Sequence, residues 1–309
     1  MYSLKELQNY SKMRTWSSNL LIHVLPKITR KIWKRSGQSQ RHDYVDSELY
    51  KKILAIHSRL LLLPNTSEKN IKAKFDKHCV LQLSTSRLTD TLALVFGTGE
   101  FDVAAAYKLI QDKDDIILDI GANIGTTSIH FANQNPSAVI HSFEPNKIIY
   151  DVLRNNIHLS TLDNIKTYNF GLGNSNETLY LEIQFEGNPG SAQISDAPGL
   201  NPVLIKKLDE LDEITKFSMI KMDVEGYELQ VLLGGLNKIS KNRPKMILEF
   251  FNGFELENSD RNNQLIELLL SMGYHLYLMN GKLIHADAGL LLSTRKLLNL
   301  VALPDPYSN

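Results

Sequence analysis

The run Asp119-Ile-Gly121-Ala-Asn123-Ile-Gly125 constrains this chain more than any other feature; Ile116, Ile117 and Leu118 precede it and Thr126, Thr127 and Ser128 follow. It reads as an apolar strand, a glycine turn and the start of a helix with hydroxyl residues available as caps. Gly121 and Gly125 remove Cβ where the backbone must turn sharply and lie close to a ligand. In a doubly wound sheet, the carboxyl end of such a strand opens on the crevice where cofactors bind.

The surrounding chain fits that architecture. From about residue 100, short apolar runs alternate with amphipathic segments of helical length, the pattern of an α/β fold with a mostly parallel sheet. Strands are expected at 116–119, 139–143, 165–170, 218–222 and 246–250. Near the end, 274–279 and 282–285 flank Asn280-Gly281, a pair that tolerates the positive φ of a tight turn, so an antiparallel hairpin should close the sheet. Residues 1–97 read as an N-terminal helical appendage: 47–63 keep apolar side chains at helical spacing and stop before Pro64-Asn65. The polar stretch 36–41 reads as a linker. The expected organisation is an appendage at 1–97, a ligand-binding domain at 98–286 and a C-terminal extension at 287–309.

The turn also narrows the ligand. A dinucleotide fingerprint needs glycines at its first, third and sixth positions, and counting from Gly121 those places hold Asn123 and Thr126. Asp119 sets a carboxylate beside the loop, suited to an amino-acid ammonium rather than a pyrophosphate. Glu144 follows Gly121 by 23 residues, at the end of the next strand in Ser142-Phe-Glu-Pro145. An acid there can accept both hydrogen bonds of a ribose diol. Ribose and ammonium together point to S-adenosylmethionine (SAM). The plainer alternative is a simple strand-to-helix turn with Glu144 as a solvated charge.

A second cluster lies in Lys221-Met-Asp223-Val-Glu225-Gly226-Tyr-Glu228. Alternation puts Lys221 and Asp223 on one side of a strand, with Asp223 at its carboxyl edge, facing the group to be transferred. Asp223 or Glu225 is the expected general base, with Lys221 tuning charge or orienting the acceptor. Glu249, His130 and His141 are weaker candidates, and Glu228 reads as a helix-face charge. No His, Asp or Glu group has metal-ligand spacing along the sequence, so metal independence is expected. In the long connection before this strand, Asn188-Pro-Gly-Ser-Ala192 suits either a flexible lid or an ordinary exposed loop.

Charge and cysteine content bear on partners and compartment. Lys+Arg and Asp+Glu each total 34, which gives no reason to expect duplex nucleic acid. The first 43 residues nevertheless carry nine Lys/Arg against Glu6 and Asp43. The segment 27–35, with Ile28, Ile32 and Trp33 interleaved, reads as a solvated charged face packed by its apolar stripe, or as a peripheral contact with an anionic membrane. A single cysteine, Cys79, excludes an intrachain disulfide and fits a reducing, cytoplasmic setting; neither a membrane span nor a signal peptide is read.

Taken together, Leu118-Asp-Ile-Gly-Ala-Asn-Ile-Gly125, Phe143-Glu-Pro145, Ile220-Lys-Met-Asp-Val-Glu-Gly-Tyr-Glu228, Leu232-Leu-Gly-Gly235 and Met246-Ile-Leu-Glu249 resemble the FkbM family of SAM-dependent methyltransferases. Order and spacing agree over roughly residues 98 to 280. The resemblance implies a class I, Rossmann-like methyltransferase sheet, SAM as methyl donor, and a hydroxyl acceptor on a sugar or polyketide-type natural product. At Asn169-Phe-Gly171 the family more often has alanine in place of Gly171, a position on the adenine side of the cofactor. Two other readings stand beside this one: a nucleotide-binding oxidoreductase on a similar sheet, and a SAM-binding protein without catalysis that acts as a membrane- or partner-binding module.

Overall fold

The computed structural model describes residues 70–76, 78–84, 87, 90, 101–183, 192–195, 199, 201–251, 256–279, 283–293 and 297–305. An antiparallel pair, β1 (Asn70–Asp76) and β2 (Cys79–Ser84), comes first. The described part of the expected helical appendage is therefore β-structured at 70–76 and 79–84. In β2, Cys79, Leu81 and Leu83 point one way and are buried, the period-2 pattern of a half-buried strand. Residues 1–69, with the segments 27–35, 36–41 and 47–63, lie outside the described residues.

The main body alternates strand and helix: α1 (Phe101–Ile110), β3 (Ile116–Ile120), α2 (Thr126–Gln134), β4 (Val139–Phe143), α3 (Lys147–Ser160) and β5 (Ile165–Tyr168). The chain then forms a small sheet from β6 (Gly171–Leu172), β7 (Glu177–Ile183), β8 (Ala192–Ser195) and β9 (Pro202–Lys206), in the order β6-β9-β7-β8. It returns through β10 (Met219–Met222), α4 (Glu228–Gly234), α5 (Leu236–Asn242), β11 (Lys245–Phe251), α6 (Leu256–Ser271), β12 (Tyr274–Met279), β13 (Leu283–His285), α7 (Ala288–Ser293) and β14 (Leu297–Pro304).

The large sheet has the order β13-β12-β14-β11-β10-β3-β4-β5. Strands β11, β10, β3, β4 and β5 run parallel; β14 is antiparallel to both β11 and β12, and β13 is antiparallel to β12. Every expected strand is present. The closing hairpin pairs Tyr277 with His285, while its turn at 280–282 lies outside the described residues. The C-terminal stretch is no appended extension: β14 inserts between β11 and β12. Its near-continuous apolar run, Leu297 to Pro304, is that of a strand covered on both faces.

Side-chain alternation builds a core on each face. Ile117, Ile140, Met219, Ile247 and Val301 pack against Val103, Ala106 and Tyr107 of α1 and Phe131 of α2. Leu118, Ile120, Phe143, Ile220, Met222 and Leu248 face Val231 and Leu232 of α4, Ile239 of α5 and Leu265 of α6. From β3 the chain winds outward through β4 and β5, then crosses to β10 and β11 on the other side. The switch point of this doubly wound sheet is thus the gap between β3 and β10, at their carboxyl ends. No helix among the described residues is long and apolar enough to cross a membrane.

Candidate functional site

The glycine turn leaves β3 at the switch point. Gly121 and Ala122 both donate their amides to the Phe143 carbonyl, at 3.1 and 2.9 Å, which bends the chain over the end of β4. Three residues take left-handed backbone: Gly121 at φ 80, Asn123 at φ 50 and Gly125 at φ 90. Space excludes side chains at the two glycines. A Cβ on Gly121 would lie 1.8 Å from the Asp223 carbonyl oxygen, and one on Gly125 would lie 2.6 Å from Leu153 Cδ1. Asn123 tolerates its conformation with a local bond, its Oδ1 accepting from the Ile124 amide at 2.8 Å.

Beneath the turn is a buried charge chain. Asp119 is fully enclosed and accepts from Ser128 Oγ on α2, which in turn lies 2.7 Å from Ser142 Oγ on β4. Lys221 stands opposite Asp119 in the parallel register of β10 and β3. Its ammonium lies 3.8 Å from Asp119 Oδ1 and 3.6 Å from Asp223 Oδ2, and the side chain is only 4% exposed. Lys221 therefore joins the two strand ends electrostatically. Asp119 sits below the turn rather than in the open crevice, and reaches the site through Ser128 and Lys221.

Glu144, at the end of β4, is buried. Its Oε2 accepts from the Asn123 amide at 3.0 Å and its Oε1 from the Asn146 amide at 2.8 Å, so it ties the glycine turn to the start of α3. Burial raises its pKa to about 7; the two amides and Lys221 pull it down, and the nearby Asp119 pushes it up. A carboxylate has about four acceptor positions, and two are used here, which leaves capacity for a diol. Asn169, which sequence reasoning did not single out, donates to the Glu144 and Pro145 carbonyls at 3.0 and 3.1 Å and fixes this corner. Gly171 opens β6 against it, where a Cβ would lie 2.8 Å from Ile205 Cδ1 and 3.5 Å from Pro145 Cβ.

Across the gap, the end of β10 bears the second cluster. The Asp223 amide donates to the Ile120 carbonyl at 3.0 Å, locking the loop after β10 to β3. Asp223 is 25% exposed at its side chain, Glu225 is exposed, and Glu249 comes from β11. Carboxylate oxygens of these three lie within 4.8 Å of one another, the one group among the described residues spaced to hold a cation. The sequence conceals this convergence because the acids come from two neighbouring strands. His130 and His141 do not join it. His141 is stacked on Tyr168 with Nδ1 2.9 Å from its hydroxyl, and burial, then Lys166, lowers its pKa to about 4.

Glu228 departs from its expected role as a helix-face charge. It is the first residue of α4, buried, and turned back so that Oε1 accepts from the Val224 and Gly226 amides at 3.4 and 3.3 Å. The helix itself begins at Glu228. The lid candidate at 188–191 lies outside the described residues, and Ala192 begins β8.

Fold and site together define a doubly wound α/β domain in which the glycine turn and the acidic end of β10 lie against each other at the switch point. Residues 119–276 match the Methyltransferase FkbM domain, and the chain belongs to that family. It is 31% identical to the hexuronic acid methyltransferase AglP of Haloferax volcanii over 147 residues, 46% of this chain and 58% of that protein. It is 30% identical to the methyltransferase sdnD of Sordaria araneosa over 158 residues, 40% of this chain and 61% of the relative. A third relative, methyltransferase 1 of Beauveria bassiana, is 26% identical over 160 residues, 44% of this chain and 64% of its own length. The chain thus spans about three fifths of each of these relatives.

Proposed function

We propose that this chain is a SAM-dependent O-methyltransferase acting on a hydroxyl of a sugar, glycan or natural product. The observation that carries the reading is the interlock of the glycine turn with the loop after β10, which sets a cofactor cradle and an acidic acceptor wall face to face. The residues present suit SAM: Gly121 and Gly125 let the turn take left-handed backbone packed against Asp223 and Leu153, Glu144 has acceptor capacity for a ribose diol, and Gly171 would lie on the adenine side. Asp119, paired with Lys221, would balance charge near the methionine portion. A sugar acceptor is supported by the name of the Haloferax volcanii relative, a hexuronic acid methyltransferase.

SAM supplies a methyl group already activated by its positively charged sulfur. The protein then has three tasks: to hold the acceptor in line, to exclude water and to take a proton. Alignment can contribute about 7–11 kcal/mol in favourable cases. With SAM bound, the carboxylate of Asp223 or Glu225 would take the proton of the acceptor hydroxyl as its oxygen is methylated, and S-adenosylhomocysteine would leave. A positioned base adds about 10²–10⁴-fold. Lys221, 3.6 Å from Asp223, tunes the local charge or orients the acceptor, and we expect the reaction to survive a chelator. A cytoplasmic setting is supported only by the single cysteine, Cys79.

The test is release of S-adenosylhomocysteine from SAM against a panel of monosaccharides, uronic acids and hydroxylated natural products. Turnover with one class, lost in Asp223→Asn or Glu225→Gln and kept in EDTA, agrees with the reading. Release unaffected by both substitutions removes the carboxylate base, and transfer only to amines or carboxylates removes the hydroxyl acceptor.

A further inference from the structure

The connection from β10 to α4 has an unusual backbone. Glu225 at φ 53 and Gly226 at φ 97 are consecutive left-handed residues, and nothing lies within 4 Å of where a Gly226 Cβ would be. Backbone conformation, and not crowding, therefore calls for glycine there. At Glu225 the left-handed turn brings Cβ too close to the following carbonyl oxygen and is disfavoured. Such a conformation persists only where the surroundings hold it. The loop is pinned at its start by the Asp223 amide on Ile120 and at its end by the Tyr227 amide on the Val224 carbonyl, 3.3 Å. Between those points the Val224 and Gly226 amides converge on a single acceptor atom, Glu228 Oε1.

We infer that Glu228 is a positioning residue for methyl transfer: its buried carboxyl holds the 223–226 loop in the shape that presents Asp223 and Glu225 to the acceptor. The inference rests on the reading of Asp223 and Glu225 as the acceptor-side carboxylates. Glu228 is 7% exposed, and its carboxyl accepts from the Val224 and Gly226 amides. Burial raises its pKa to about 7, offset in part by the backbone amides and reinforced by Asp223, as befits a carboxyl kept under the loop beside a second acid. Both observed loop bonds end on one oxygen, so an amide side chain with a single carbonyl oxygen can replace the carboxylate, whereas a methyl group cannot.

Glu228→Gln and Glu228→Ala, each in the full chain, provide the test. Three quantities are read: hydrogen exchange at the Val224 and Gly226 amides, SAM affinity, and S-adenosylhomocysteine release with methyl β-D-glucopyranoside or D-glucuronate as acceptor. The alanine variant is expected to exchange those amides faster and to lose kcat by about 10²-fold, the scale of a displaced catalytic group, with SAM affinity unchanged. The glutamine variant is expected to restore both protection and rate. Unchanged exchange or unchanged kcat in Glu228→Ala overturns the inference. So does a loss of SAM affinity that matches the loss of rate, which is a general structural effect, or a glutamine variant no better than alanine. If the parent chain releases no S-adenosylhomocysteine, the methyltransferase reading fails on its own, while the exchange measurement still decides whether Glu228 holds the loop.

Discussion

Gly121 and Asp223 occupy each other's space: the backbone carbonyl of Asp223 fills the position a Gly121 side chain would need, with 1.8 Å between that oxygen and an added Cβ. One residue opens the cofactor turn and the other closes the acceptor wall. Gly121→Ala must therefore displace the loop after β10 as well as adopt a left-handed conformation, which alone costs roughly 1–2 kcal/mol. The expected result is a folded variant with SAM affinity reduced at least tenfold, about 1.4 kcal/mol, read by calorimetry alongside a thermal melt.

Lys221 lies between two carboxylates, with Asp119 wholly buried. Removing one partner of a buried ion pair leaves an uncompensated charge and costs about 3–5 kcal/mol. Lys221→Met should lower the urea midpoint accordingly, and the double variant Lys221→Met with Asp119→Leu should recover much of the loss. A single variant as stable as the parent would mean that the charge chain does not hold the strand ends together.

Glu144 and Glu228 give the protein a pH signature. Both carboxyls are raised from 4.5 to about 7 in the folded state, chiefly by burial. The folded chain then binds more protons than the unfolded chain between those values, so stability is greatest below about 4.5 and declines as pH rises through about 7. Other carboxylates that prefer to be ionised add an opposite slope, so the readout is a difference: Glu144→Gln should flatten the fall in unfolding free energy from pH 4.5 to 7 relative to the parent. SAM affinity should move the other way, weakening as the medium is acidified through pH 7 and Glu144 loses acceptor capacity for the ribose diol.

Asn156 links the N-terminal strand pair to the cofactor turn. Its Oδ1 accepts from the Gln82 amide of β2 at 2.6 Å, and its Nδ2 donates to the Ile124 carbonyl at 2.9 Å. Fully buried, it leaves two unpaired backbone groups when truncated, a cost of about 1–3 kcal/mol. Asn156→Ala is expected to lower the thermal midpoint and weaken SAM binding together. Reduced stability with unaltered SAM binding would confine Asn156 to the scaffold.

The legible parts of this molecule are those written in contiguous sequence. The turn from Asp119 to Gly125 carries its own strand, glycines and helix start, and the five parallel strands show as short apolar runs. What stayed hidden depends on contacts between distant segments. Chain order does not reveal that β14 slots between β11 and β12, and the meeting of Asp223, Glu225 and Glu249 requires two neighbouring strands to end level. Glu228 misled for a local reason: an acid at a helix start ordinarily favours the helix dipole from the surface. Asn156 left a usable trace, because it shares the buried face of α3 with Ile149, Leu153 and Ile157, a polar residue at an apolar position.

Direct binding tests the central claim best. Calorimetric titration of the full chain with SAM, with NAD in parallel and Glu144→Ala as control, is predicted to give micromolar SAM binding, no NAD binding and a marked loss in the variant. NAD binding in place of SAM, or no binding of either, would contradict the account and return the glycine turn to a plain strand-to-helix connection.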